Sequence, residues 1–250
     1  MSNPVFKYLH THRNPSDRTL FNASIGATKQ YESSDSLRLP IPATVEASIS
    51  DLLLQRHSCR QMSGGAVSIP NISSILYWSM SELPYQNTNG NSESDFRRRP
   101  YPSGGAKYPL DAYLLTDTHK ELGSALYHYR PDIHALETVK DITPKEIDLI
   151  KNSYVYDFVA DIPVMVIFTY IMERNVPKYG TFGAKLALIE AGHIGQNIAT
   201  IAQAVNVGSI MLAGGDFERM DALFGFDSYN ESTFYTVGLG KQAEVNYKKE

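Results

Sequence analysis

Over residues 183–205, Ala187, Ala191, Ile194, Ile198, Ile201 and Val205 recur at steps of four and three, the spacing that lines apolar side chains along one stripe of an α-helix. A helix this long with one buried stripe has to lie against the main core, so the rest of the chain is organised around it. Beside the stripe stand Gly192, Gly195, Ala199 and Ala202, also at helical spacing. Each glycine costs a helix about 1 kcal/mol relative to alanine, so something offsets that cost. Close approach of another helix, close approach of a planar ligand, or plain tight core packing would each do so. The uncharged stretch 191–215 has the length of a membrane span, but it carries five glycines together with His193, Gln196, Asn197, Gln203 and Asn206, which excludes it as one.

Strand patterns occur at 112–116, 126–129, 164–170, 209–213 and 234–237, with helical stretches between them. One helix is expected from Thr44, as N-cap, through Val45, Ile49, Leu52 and Leu53, and another from Asn71 through Ile75, Leu76 and Trp78. This mixed order predicts an α+β fold rather than a strictly alternating wound sheet. With 250 residues, 42% of them hydrophobic and 20% charged, the chain has the composition of a folded globular protein. Its net charge of −4 argues against nucleic acid as a partner. Residues 1–42 are polar, end on Pro40-Ile41-Pro42, and read as an arm laid over a single domain at 43–250. Segment 81–100 reads as loop, mobile at 87–94. An N-terminus without an apolar core and a lone cysteine, Cys59, predict a cytoplasmic protein with neither internal disulfides nor a cysteine zinc site. His10 and His12 lack a third ligand and carry no metal site.

Two segments carry the chemistry. In Arg97-Arg98-Arg99-Pro100-Tyr101-Pro102-Ser103-Gly104-Gly105-Ala106-Lys107-Tyr108-Pro109, prolines fix the backbone around two glycines and a serine, making a rigid loop with exposed amides. Such a loop is either a structural turn or a cradle for the polar edge of a planar group. In Arg56-His57-Ser58-Cys59-Arg60, two arginines four apart flank a hydroxyl at the end of a predicted helix. They form either a phosphate clamp or a solvated basic helix end. With no Gly-x-Gly-x-x-Gly and no P-loop motif in the chain, a phosphate held there belongs neither to a Rossmann dinucleotide nor to a P-loop nucleotide.

Together these residues resemble the FMN-dependent nitroreductase fold and, within it, the SagB-type and McbC-like azoline dehydrogenases. The resemblance rests on Arg-x-Ser-x-Arg at 56–60, Arg-Pro-Tyr-Pro-Ser-Gly-Gly-Ala-x-Tyr-Pro at 99–109, Leu-Tyr-His-Tyr at 126–129, Glu-x-Gly-x-x-x-Gln-Asn at 190–197 and Gly-Gly-x-Phe at 214–217, in that order. It spans roughly residues 45–240.

The resemblance implies a mostly antiparallel mixed sheet flanked by helices, with a long central helix. It implies FMN held at its phosphate by Arg56, Ser58 and Arg60, with Lys241 as a second phosphate contact. Pro102, Ser103, Gly104 and Gly105 would line the flavin ring and ribityl chain, Gln196 would join them, and the backbone at Gly214 and Gly215 would face the hydride-accepting nitrogen. In the azoline oxidases a Lys-Tyr pair ahead of the long helix is catalytic, and Lys178-Tyr179 stands in that place. Lys178 would remove a proton once a cationic or apolar setting lowers its pKa, and Tyr179 would orient or relay it. Two departures from the family pattern are Gly180-Thr181-Phe182-Gly183 in place of an arginine-rich continuation, and Lys107 in place of an aliphatic residue. The implied activity is oxidation of peptide thiazolines or oxazolines to thiazoles or oxazoles, by a homodimer working with a cyclodehydratase on an azoline-containing precursor peptide. An NAD(P)H-dependent nitro or quinone reductase, and a non-catalytic subunit of an azole synthetase, are the alternative readings.

Overall fold

The structure, a computed structural model, describes residues 28–31, 36–42, 44–63, 65–83 and 98–243. The histidines at 10 and 12 and the mobile stretch expected at 87–94 lie outside the described residues.

The centre is a seven-stranded sheet of β1 (Ser36–Arg38), β2 (Leu110–His119), β3 (Gly123–Arg130), β4 (Ala135–Asp141), β5 (Val164–Ile171), β6 (Gly208–Leu212) and β7 (Glu231–Gly240). Its order is β1-β4-β3-β2-β5-β7-β6, and each pairing is antiparallel. Helices cover it: α1 (Ile49–Gln55), α2 (Ile69–Met80), α3 (Pro144–Lys151), the single turn α4 (Val176–Tyr179), α5 (Phe182–Ala204) and α6 (Phe217–Phe224). This is the α+β, antiparallel fold with a long helix that the sequence predicts.

Alternation along the central strands explains why both faces are covered. Leu110, Ala112 and Leu114 of β2, with Val164, Val166 and Phe168 of β5, pack against Ile72, Ile75 and Leu76 of α2 and against Ala187, Ala191, Ile194 and Ile198 of α5. The intervening residues Tyr113, Leu115, Met165 and Ile167 point the other way, towards Ile147 and Ile150 of α3 and Met220 and Phe224 of α6. Period-2 side chains on two covered faces leave β5 buried almost throughout. Each large aliphatic side chain fully buried in this way contributes about 1.5–3 kcal/mol.

The elements differ from expectation mainly at their ends. The first helix starts at Ile49 with Ser48 as N-cap, its hydroxyl accepting from the Asp51 amide, so Thr44 is not the cap. None of the residues of α1 is buried. The second helix begins at Ile69 behind the Ser68 cap. Neither β4 nor α3 stands out by periodicity. β1, inside the segment read as an arm, pairs with β4 at the sheet edge.

The smooth side of α5 resolves into two parts. Gly195, Ala199 and Ala202 are buried within the chain, and a Cβ on Gly195 would meet Tyr235 Oη at 2.8 Å. Tight core packing accounts for these three. Gly192 is exposed, with nothing within 4 Å of a Cβ placed there. No helix among the described residues is long and apolar enough to cross a membrane.

Candidate active site

The segment after α1 is stitched to the ends of β6 and β7. The Cys59 amide donates to the Ser209 carbonyl at 2.9 Å and the Ser63 amide to the Lys241 carbonyl at 2.9 Å, while Met62 bridges Gln242. Arg56, Ser58, Arg60 and Lys241 are thereby gathered at one end of the sheet. Arg56 and Ser58 are half-buried, Arg60 and Lys241 exposed, and no acidic side chain among the described residues forms a salt bridge with these three cations. Cys59 between them is buried, its thiol donating to the Gln61 carbonyl, and burial raises its pKa.

Gly214 and Gly215 follow β6 at its other end, about 16 Å from Ser209 at 3.3 Å per residue. They lie beside Ser153–Tyr156, where Tyr154 bridges Gly215 and the Asp216 amide donates to the Ser153 carbonyl at 2.8 Å. A Cβ on Gly214 would meet Val155 at 3.1 Å and one on Gly215 would meet Ser153 O at 3.3 Å, so side chains here would crowd the backbone. A cluster of cations and a hydroxyl, then an edge strand, then a pair of glycines fit a planar group with a phosphate tail, as FMN has.

The proline-glycine loop and the Lys-Tyr pair meet. Gly105 holds φ +61°, and a Cβ on it would lie 2.5 Å from Tyr179 Oη and 2.6 Å from Lys178 Nζ. Both polar ends therefore close over the bare Cα of Gly105, with Lys178 Nζ 5.2 Å from the Tyr179 ring centre. Lys107, at 4% exposure, has its pKa lowered by burial and by the charge of Lys178. The pair rides on α4, which has Pro177 in its first turn and ends at Gly180 with φ +56°. Asn175 anchors that turn: its carbonyl accepts the Lys178 and Tyr179 amides, its Oδ1 accepts from Tyr170 Oη at 2.7 Å and its Nδ2 donates to the Gly183 carbonyl at 2.9 Å.

Next to Asn175, the Arg174 guanidinium donates to both Asp111 oxygens, at 2.5 and 2.9 Å, and to the Tyr108 carbonyl at 3.2 Å. It thus ties the Lys-Tyr turn to β2 and to the end of the proline-glycine loop. Burial works against the charged form of Asp111, yet Arg174 and His128 hold its carboxyl well below the usual carboxylate range. Removing either partner of such a pair costs about 3–5 kcal/mol, because the other charge stays buried.

Behind the loop, α5 presents Leu186 to Gly104, where a Cβ would meet Leu186 Cδ1 at 2.8 Å, and Asn197, whose Nδ2 donates to the Pro100 carbonyl at 3.1 Å. Between them Glu190 is 2% exposed. Gln196 and His193 lie on the exposed side of the helix, and the Gln196 amide donates to Thr200 Oγ1. Apart from Gln196, the predicted residues form three groups: the cation cluster Arg56, Ser58, Arg60 and Lys241; Gly214 with Gly215; and Pro102–Gly105 with Lys178 and Tyr179. Gln55, before the cation cluster, accepts from Gln203 of α5, whereas Gly104 meets Leu186, about 25 Å away along the same helix. Sequence reasoning missed Asp111, Arg174 and Asn175. Glu190 carried a signal: it sits three after Ala187 and four before Ile194, a carboxylate on the apolar stripe.

The nitroreductase family model matches residues 53–241, and the chain belongs to the nitroreductase family, whose members are generally flavin-dependent oxidoreductases. It is 26% identical over 178 residues to the nitroreductase-named protein MJ1384 of Methanocaldococcus jannaschii, covering 70% of this chain and 83% of that one. It is 30% identical over 121 residues to the microcin B17-processing protein McbC of Escherichia coli, covering 47% of this chain and 44% of McbC. Its fold matches a chain of the E. coli microcin synthetase McbBCD complex with truncated pro-MccB17 bound, at TM-score 0.65, 20% identity and coverage of 97% and 95%. It also matches a nitroreductase from Desulfovibrio desulfuricans in complex with FMN, at TM-score 0.53, 17% identity and coverage of 80% and 88%. Both structural likenesses speak for the fold.

Proposed function

We propose that this chain is an FMN-dependent dehydrogenase that converts peptide thiazolines or oxazolines into thiazoles or oxazoles. The observation that carries the reading is the closure of Lys178 and Tyr179 over Gly105, which sets an amine and a phenol together at a loop of the kind that lines a flavin. Similarity to McbC over residues of this chain supports the same class. Forming the aromatic ring removes one proton and one hydride from the azoline. Bound FMN supplies the hydride acceptor, which oxygen regenerates. Lys178 takes the carbon-bound proton, and Tyr179 orients it. Arg56, Ser58, Arg60 and Lys241 hold the phosphate, Gly214 and Gly215 offer backbone amide to the ring, and Pro102–Gly105 and Gln196 complete the cofactor contacts.

The working form in this reading is a homodimer. Ile49, Leu53 and Leu54 of α1 and Leu188 and Ile189 of α5 are exposed apolar side chains, a surface that a second copy would cover. A partner packed along α5 in the opposite sense would bring its proline-glycine loop towards the cation cluster of the first copy. The azoline would come from a cyclodehydratase acting on a precursor peptide.

The test is to load purified protein with FMN, add a cyclised azoline peptide and follow the loss of two hydrogens by mass spectrometry. Wild type should oxidise the peptide. Lys178→Ala should keep FMN and lose about 10²–10⁴ in rate, with Tyr179→Phe losing less. A Lys178→Ala protein that works at the wild-type rate contradicts the role of this lysine, and quinone reduction by NADH without azoline turnover favours the reductase reading instead.

A further inference from the structure

Glu190 is a carboxylate inside the apolar stripe of α5, and neither of its oxygens has a hydrogen-bond partner among the described residues, while the Ser103 hydroxyl is among the groups that favour its charged form. A buried carboxyl left this way is costly unless its protonation or its neighbours compensate. Ser103 is the serine of the proline-glycine loop. Its Oγ accepts the Tyr108 amide at 2.9 Å, which leaves the hydroxyl one proton to give and one lone pair to offer.

We infer that Glu190 is a positioning residue that sets the direction of the Ser103 hydroxyl and so decides whether the loop offers a hydrogen-bond donor or an acceptor to the group bound against it. When Glu190 is ionised it accepts a hydrogen bond from the Ser103 hydroxyl, and the loop presents a lone pair. Once protonated, Glu190 donates to Ser103 Oγ, and the Ser103 proton turns outward. The Tyr108 amide holds Ser103 Oγ in place in both states, so the hydroxyl proton moves while the loop stays fixed.

This exchange falls near neutrality. Burial pushes the Glu190 carboxyl up to about 7, against the opposing pull of Ser103, Arg99 and Arg174. The charged and titratable groups that face it are Arg99 and Tyr101, in the first half of the loop, and Arg174, between β5 and α4. Lys107 lies within the loop itself, and His193, one turn on in α5, is exposed. Burial raises the pKa of Tyr101 above its ordinary value, which leaves Glu190 to change charge near pH 7.

The inference rests on the flavin reading for its consequence but not for its first test. Difference infrared spectra of wild type, with Glu190→Gln as blank, should show a carboxyl that ionises with a midpoint near 7. Ser103→Ala, which removes a donor to the charged form, should raise that midpoint. A carboxyl already ionised well below neutrality, or a midpoint unmoved by Ser103→Ala, overturns the coupling.

The second readout is FMN affinity by flavin fluorescence at pH 5.5–8.5, on the order of one pH unit and more to either side of the expected midpoint. The flavin edge is rich in acceptors, so wild type should bind FMN about five- to tenfold more tightly at the acidic end. Glu190→Gln and Ser103→Ala should each lose that dependence, whereas titration of the FMN phosphate is common to all three proteins. Identical profiles for wild type and Glu190→Gln overturn the inference. Failure of every protein to bind FMN at any pH removes the flavin reading instead, and the infrared midpoints then decide the coupling alone.

Discussion

Replacing Gly105 by alanine is the smallest change that reaches the Lys178–Tyr179 pair. The added methyl would occupy the space of Tyr179 Oη and Lys178 Nζ, and both are ends of flexible side chains, so they move while the fold stands. Displacing a reacting group by about 1 Å costs on the order of 10²-fold in rate. Gly105→Ala should therefore lose azoline oxidation on that scale and retain FMN. Gly123→Ala is the control, because Gly123 shares the positive φ, +68°, with nothing within 4 Å of its Cβ position. It carries the same backbone strain of about 1 kcal/mol and should keep its activity. Equal rates for the two variants in the peptide assay would mean that the pair does not act where it sits. The pair itself is legible in the sequence only by its place ahead of the long helix. What holds it is not: Arg174, Asn175 and Asp111 lie in unremarkable segments, and only the antiparallel partnership of β2 with β5 brings them together.

At the scale of elements, strong periodicity is readable and weak periodicity is not. The five strands recognised by β-branched and aromatic runs, the helix over α2 and the long α5 are present, because their apolar spacing is what the core selects. β4 is missed because Glu137, Lys140 and Asp141 disrupt its apolar pattern. α3 is too short for a pattern, yet its start carries a capping box, in which Thr143 accepts the Glu146 amide and Glu146 accepts the Thr143 amide, with Pro144 behind the cap. Gly192 and Gly195 of α5 predict opposite outcomes. Gly195→Leu drives a side chain into Tyr235 and should destabilise the fold by about 1–3 kcal/mol or more, lowering the thermal midpoint. A Cβ on Gly192 has nothing within 4 Å among the described residues, so with Gly192→Leu the fold should stand and any loss should appear in self-association. A thermal melt and light scattering on both variants check this, and a fully stable Gly195→Leu protein would contradict the core packing described.

For the whole molecule, the site is legible as five motifs in order, but not as a shape. The sequence places no distance between the cation cluster and the proline-glycine loop; in the structure Gln55, just ahead of the cluster, meets Gln203 and Gly104 meets Leu186, positions about 25 Å apart along α5. That separation, with the exposed apolar side chains of α1 and α5, is why the homodimer belongs to the functional reading. Light scattering should give twice the mass of the 27.9 kDa chain, and a monomer with full FMN occupancy would contradict that assembly. The central claim is that azoline peptide itself, with no nicotinamide, delivers electrons to the flavin through a site served by Lys178 and Tyr179. Mixing FMN-loaded protein with an azoline peptide in the absence of oxygen tests it most directly. The oxidised-flavin absorption should bleach while the peptide becomes an azole in equal amount, and Lys178→Ala should slow this by about 10²–10⁴-fold. A flavin that stays oxidised with the azoline peptide yet bleaches promptly with NADH would contradict it.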